Sequence, residues 1–172
     1  VSQGVVQNLS GSVEAAGLNG EVQVLPQGPA ASQIAIKQLG TNGGGYFNTN
    51  SAHPYENPTP LSNFFQNLAI LLIPAALTNT YGRMVGSQRQ GWAIFATMSI
   101  LFLVVLGGML VSEYTPNPAL GSIAPMEGKE VRFGITSSIL WGAATTAASN
   151  GSVNAMHSSF SPLAGGLALL NI

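Results

Sequence analysis

The sequence contains no cysteine and no aspartate. Without cysteine there are no disulfides and no thiolate metal sites. Without aspartate there is no side chain to carry an aspartyl phosphate. Charge of either sign is scarce: Lys, Arg, Asp and Glu make up 6% of the chain, against roughly 25% in an ordinary soluble domain. The few charges are also clustered. None lies between Glu56 and Arg83, none between Arg89 and Glu113, and none from Gly134 to Ile172. Such stretches cannot furnish the charged surface that keeps a soluble domain dispersed, so lipid is the expected solvent. A net charge of −1 leaves no basic patch to neutralise phosphates, which excludes a nucleic-acid partner. Two histidines are too few to build a metal cluster. No Gly-x-x-x-x-Gly-Lys-Ser/Thr loop is present, so the chain lacks that nucleotide-binding device.

The N-terminus has no initiator Met, no basic region and no apolar core, and so is not a signal peptide. The C-terminus stops within an apolar run. Both ends are read as cuts in something longer.

Residues 1–29 are polar and Gly-rich and form an expected extracytoplasmic loop, with a short strand over 21–25. Pro29 opens a helix over 30–39, which at ~1.5 Å per residue is about half the ~30 Å hydrocarbon thickness. It is a re-entrant candidate, and residues 30–60 form a unit of half-helix, Gly-rich loop and outer loop. A transmembrane helix is expected over 61–81. Asn63, Gln66, Asn67, Thr78 and Asn79 lie within it and should face protein or water, because amides are expensive in lipid. A more apolar span follows over 91–111. The connection 82–90 holds Arg83 and Arg89 and is cytoplasmic by the positive-inside rule. The segment 112–132, with Pro116, Pro118 and Pro125, returns to the outer side. A second half-helix and loop occupy 133–160, and 161–172 begin another span.

The two halves repeat. The first reads Thr41-Asn42-Gly43, then His53, then Thr59-Pro60-Leu61. The second reads Ser149-Asn150-Gly151, then His157, then Ser161-Pro162-Leu163. Each follows a half-length helix and precedes a spanning one. Irregular backbone at membrane depth must be buried in protein or line a watery cavity. Its carbonyls can replace the hydration shell of a cation. Gly permits the φ angles required, and a helix C-terminus adds partial negative charge. Neither loop has a carboxylate, which favours a monovalent ion over calcium. The expected site is therefore Thr41, Asn42, Gly43, Ser149, Asn150 and Gly151, with Gly44, Gly45 and Ser152 as support. Gly43 and Gly151 should be the least replaceable, and changes at Gly44 or Ala155 should do less.

Other residues carry plainer readings. His53 and His157 pack their loops. Lys37, one turn before the first loop, snorkels or pairs with a carboxylate such as Glu56. Met98 and Met109 face lipid or pack, and Trp92 is an interfacial anchor.

At these residues the chain resembles the potassium-binding A subunit family of the bacterial Kdp-type potassium-transporting ATPase. The stretch Leu39-Gly40-Thr41-Asn42-Gly43-Gly44-Gly45-Tyr46-Phe47-Asn48-Thr49-Asn50-Ser51-Ala52-His53-Pro54-Tyr55-Glu56-Asn57-Pro58-Thr59 carries the likeness. Ser149-Asn150-Gly151-Ser152-Val153-Asn154-Ala155-Met156-His157 resembles the next filter segment. The resemblance runs over essentially the whole chain and about a third of a family protein. It implies an all-α membrane protein built like a potassium channel, from four repeats of span, pore helix, filter loop and span. This chain would hold the pore loop and second span of the second repeat, and the first span, pore loop and beginning of the second span of the third. The loops read Thr-Asn-Gly and Ser-Asn-Gly rather than Thr-Val-Gly-Tyr-Gly, which implies a shorter filter.

The resemblance further implies a multi-pass protein of the bacterial inner membrane that binds and translocates potassium. The implied partners are a P-type ATPase catalytic B subunit, which hydrolyses ATP, and small accessory subunits. No catalytic residue and no organic cofactor are expected in this chain. The competing reading is a non-transporting membrane protein whose Asn/Gly loops bind a partner.

Overall fold

In a computed structural model, residues 1–47, 49–116 and 125–172 are described. The portion of the 112–132 segment at 117–124, with Pro118, lies outside the described residues. The chain runs β1 (Val13–Ala16), β2 (Val22–Leu25), α1 (Ala30–Leu39), α2 (Pro60–Met84), α3 (Gln88–Tyr114), α4 (Gly134–Ala147) and α5 (Pro162–Leu170).

The architecture is mostly helical, with one small exception. β1 and β2 pair antiparallel, Val13 opposite Leu25 and Ala16 opposite Val22. The alternation over 21–25 gave β2. Its partner β1 has no such alternation and is held by the tight turn, in which the Gly17 amide donates to the Glu21 carbonyl at 2.7 Å.

α1 stands against the N-terminal segment. The Ala31 amide donates to the Val6 carbonyl at 2.8 Å. Val5, Val6 and Tyr55 close over Ala30, Ile34 and Phe47 in a small apolar cluster. α2 begins with Pro60 in the first turn and a reciprocal cap: the Ser62 amide donates to Thr59 Oγ1 and the Thr59 amide to Ser62 Oγ, both at 3.1 Å. Pro suits this position because its missing N–H would have had no helical partner.

α2 and α3 are both long and apolar enough to cross a membrane. With 25 and 27 residues they reach about 38 and 40 Å at ~1.5 Å per residue. They overrun the spans read from hydropathy, 61–81 and 91–111, at both ends. Hydropathy marks where apolar side chains stop, whereas backbone hydrogen bonding continues through Arg83 on one side and Gln88, Arg89 and Gln90 on the other. The connection shrinks from 82–90 to Val85, Gly86 and Ser87, and both arginines belong to helix ends.

The two long helices differ in what they bury. α3 leaves Ile100, Leu103, Val104 and Val111 more than 60% exposed, an apolar surface suited to lipid. α2 buries its amides Asn63, Gln66 and Asn67, together with Thr78. Asn79 is exposed near the C-terminal end of α2, with Gln88 Oε1 as its partner at 3.5 Å. α4 is sheathed by its neighbours, with Ser138, Ile139 and 141–146 buried. Ile139, Ala143, Met109, Phe160, Ala164 and Ala168 form the main core between α3, α4 and α5. Trp141 and Ala144 meet Ile70 of α2 on the other side. A buried ion pair, Lys129 with Glu113, ties the segment before α4 to the end of α3. Glu113 also accepts the Ser161 amide at 2.9 Å.

The α2–α3 hairpin closes on two glycines. The position a Gly91 Cβ would occupy lies 2.6 Å from the Thr78 carbonyl oxygen and 3.2 Å from Gly82 Cα. Small residues at such a crossing let helix backbones approach. Gly91→Leu is therefore expected to destabilise the intact protein by about 1–3 kcal/mol through overpacking. Gly107→Leu, with nothing within 4 Å of its Cβ position, should be near neutral. Thermal unfolding in detergent compares the two.

Candidate functional site

Both half-length helices end in a similar reversal, alike in its first two bonds and different in the third. After α1, the Gly40 amide donates to Ile36 O at 2.9 Å, the Thr41 amide to Gln38 O at 3.3 Å and the Gly43 amide to Lys37 O at 3.1 Å. After α4, the Ala148 amide donates to Ala144 O at 3.0 Å and the Ser149 amide to Thr146 O at 3.3 Å. The Asn150 amide donates to Thr145 O at 2.8 Å. These wraps consume carbonyls that a helix C-terminus otherwise leaves orphaned.

The backbone angles repeat as well. Thr41 and Ser149 have φ of 52° and 51°, and Gly43 and Gly151 have 64° and 87°. A β-branched Thr in the left-handed region is unusual and costs about 1–2 kcal/mol. It persists only where the surroundings hold it. Gly44, read from the sequence as support, has φ of 83° and so makes the same demand as Gly151. Gly45 meets a different limit: its Cβ position is 2.6 Å from Asn50 Cα and 2.9 Å from Glu56 Oε2.

The two loops lie against each other. A Cβ on Gly43 would overlap the Asn150 carbonyl and come within 2.8 Å of the Ser152 amide nitrogen. Asn150 Nδ2 crosses to the Lys37 carbonyl at 3.1 Å, and Ser152 Oγ reaches Gln38 Oε1 at 2.9 Å. Within the second loop, the Gly151 amide donates to Thr145 Oγ1 at 2.9 Å. The buried Trp141 donates its indole N–H to Ser152 O at 2.9 Å. Of the nine residues read from the sequence, Gly43, Asn150 and Ser152 form this junction. Thr41 is half-buried, and Asn42, Gly44, Gly45, Ser149 and Gly151 are exposed around it.

A buried polar network supports the first loop from behind. Lys37 Nζ sits 3.1 Å from Glu56 Oε1 and 3.2 Å from Ser51 Oγ, with both charged side chains fully buried. Lys37 thus pairs with Glu56 rather than snorkelling. The same Glu56 oxygen accepts the Tyr46 amide at 2.8 Å, so one carboxylate binds the helix and the loop leaving it. Gln38 Nε2 donates to Ser51 Oγ at 3.1 Å and to Gln66 Oε1 at 3.0 Å. Asn63 Oδ1 accepts from both Asn57 and Asn154 at 2.9 Å, joining the two loops a second time. Sequence reasoning missed Gln38, Ser51, Asn57 and Asn154. The amides of α2 were the signal, since each needed a buried partner.

The histidines pack. His53 stacks on Phe47 at 4.5 Å, and its Nδ1 accepts the Tyr55 amide at 3.1 Å. Burial holds its pKa below the ordinary value; Glu56 opposes that shift and Arg132 adds to it. Among the described residues no cluster of three His, Cys, Asp or Glu side chains could hold a metal. What the arrangement presents is carbonyl oxygen and the partly negative ends of two helices.

Breaking a buried pair by removing one partner typically costs about 3–5 kcal/mol, because the other charge is stranded. Lys37→Met and Glu56→Gln are each expected to lower the unfolding temperature of the intact protein. Lys37→Met/Glu56→Gln together should be milder than the sum. Additive losses would rule the coupling out.

Residues 1–172 match the family model described as Potassium-transporting ATPase A subunit. Three relatives, each called a potassium-transporting ATPase potassium-binding subunit, illustrate the similarity. That of Sorangium cellulosum is 60% identical over 186 residues, covering 96% of this chain and 32% of the relative. That of Pseudomonas syringae is 57% identical over 177 residues, covering 100% and 31%. That of Solidesulfovibrio magneticus is 64% identical over 148 residues, covering 83% and 25%. The chain spans about a third of the length of such relatives. It belongs to the potassium-transporting ATPase A subunit family.

Proposed function

We propose that this chain supplies two neighbouring walls of a potassium site in the channel-like subunit of an ATP-driven uptake complex. The observation that carries the reading is the pair of matched loops, each left-handed at its first residue, each closing a half-length helix, and each in contact with the other. The walls are the backbone at Thr41, Asn42 and Gly43 and at Ser149, Asn150 and Gly151. Gly44, Gly45 and Ser152 hold them.

Carbonyl dipoles compensate a monovalent cation for lost water without the full charge that would trap it. The order half-helix, loop, long helix after α1, and long helix, half-helix, loop, helix from α3 onward, supports span–pore–filter–span repeats. The relatives' name supports potassium as the ion. In this reading the protein is multi-pass in the bacterial inner membrane. Residues 1–60 and 112–132 face outward, and the Val85–Ser87 connection is cytoplasmic. A P-type ATPase catalytic B subunit hydrolyses ATP and, with small accessory subunits, completes the complex.

The topology is tested by Ser87→Cys in the full-length protein in whole cells. A membrane-impermeant thiol reagent added outside is expected not to label it until the membrane is permeabilised. Labelling in intact cells would reverse the orientation.

The ion site is tested by ATPase activity of the complex against potassium and rubidium. Gly151→Ser and Gly44→Ala force a Cβ into the left-handed region at about 1–2 kcal/mol, which is roughly tenfold in binding. Each should raise the potassium needed for half-maximal activity by about that factor. Gly43→Ala adds a clash with the Asn150 carbonyl and should be the most severe, with relaxed discrimination against rubidium. Wild-type affinity and ion preference in a normally expressed Gly43→Ala protein would refute the assignment.

A further inference from the structure

The contact between the loops has a direction. The Lys37 carbonyl, near the C-terminus of α1, accepts the Gly43 backbone amide of its own loop and the Asn150 side-chain carboxamide of the other. At the corresponding place on α4, the Thr145 carbonyl accepts the Asn150 amide nitrogen of its own loop. Asn42 holds the register position that Asn150 holds in the second loop. Asn150 is buried and crosses over; Asn42 is exposed and, among the described residues, its side chain makes no hydrogen bond. A head-to-tail contact between like units leaves one unused donor at one end of the pair and one unused acceptor at the other. Here these are the Asn42 carboxamide and the second lone pair of the Thr145 carbonyl, the first being taken by the Asn150 backbone amide.

We infer that Asn42 is a latch of the same kind as Asn150, donating its carboxamide N–H to the helix-end carbonyl of a further copy of this unit elsewhere in the full-length protein. The occupant is assigned to the same polypeptide because relatives are about three times as long as this chain. Two units already sit side by side here, joined by this bond. The acceptor chemistry is general: every half-helix ending this way presents carbonyls that no helical N–H can reach. The two seams are not equally strong. Ser152 backs the Asn150 latch through Gln38, whereas its counterpart in register is Gly44, which has no side chain. Asn42 therefore holds its seam without that second bond.

The proposal rests on reading the loops as repeated units, and its test uses no potassium. Asn42→Cys, Asn150→Cys and Asn19→Cys are made in the full-length protein with any other cysteine removed, then purified in detergent. Asn19 lies in the exposed turn between β1 and β2 and is the reactive reference. Modification by a charged methanethiosulfonate should be at least about tenfold slower at position 42 than at position 19, and similar to position 150, since access governs thiol reactivity. In parallel, Asn42→Ala should lower the unfolding temperature at least as much as Asn150→Ala. Position 42 reacting as fast as position 19, or Asn42→Ala melting with the wild type while Asn150→Ala does not, overturns the latch. Protection that disappears on dilution assigns the partner to a second copy and overturns the intramolecular assignment. These outcomes leave the ion-site reading to be judged by the Gly43 series.

Discussion

The carbonyl oxygen of Lys37 is the point on which the arrangement turns. A helix C-terminus carries carbonyls with no partner in its own ladder, and in a region short of water each must find a donor. At Lys37 the donors come from two places, the amide of Gly43 and the carboxamide of Asn150. One atom thus fixes how the first loop folds back and where the second loop sits beside it. The left-handed turns at Thr41 and Ser149 follow from these wraps, and the glycine at 43 follows from the proximity of the Asn150 carbonyl.

The network behind the loop solves a problem created by that choice. A loop held only by backbone bonds would yield easily to any load on it. Glu56 resists this by binding the side chain of Lys37 and the amide of Tyr46 with one oxygen, while Gln66 grips the Glu56 carbonyl from α2. The charges that are buried among the described residues are paired: Lys37 with Glu56, and Lys129 with Glu113. Because a lone buried charge is costly, such pairs act as stiff fixtures.

What the sequence made legible was whatever depends on local chemistry. The half-helix over 30–39 could be read because Pro29 opens it and glycines end it. The two long helices were plain from their apolar runs, but their ends were not, since helical hydrogen bonding does not stop where hydropathy does. The repeat of Thr-Asn-Gly and Ser-Asn-Gly located the loops. It did not reveal that Asn42 and Asn150 have different surroundings, because exposure depends on which unit lies next door. Nor did it rank Gly44 with Gly151, since φ at the second of three glycines is set by the path of the whole loop. β1 was invisible for a similar reason: its pairing is dictated by the turn rather than by its own pattern.

The matched register of the loops does not extend outward. From Gly43 the first unit takes a long route to Pro60, through the segment that holds Ser51, Glu56 and Asn57. The second passes from Gly151 to Pro162 by a much shorter one. Thr145 stands where Lys37 would be, so the second unit has no buried charge pair at that position. The two units are alike in the backbone of the loop and unlike around it. A repeated loop whose surroundings differ can be adjusted one side at a time. The stiffness of one loop can change without the same change being imposed on its neighbour, a freedom that four identical chains around an axis do not have.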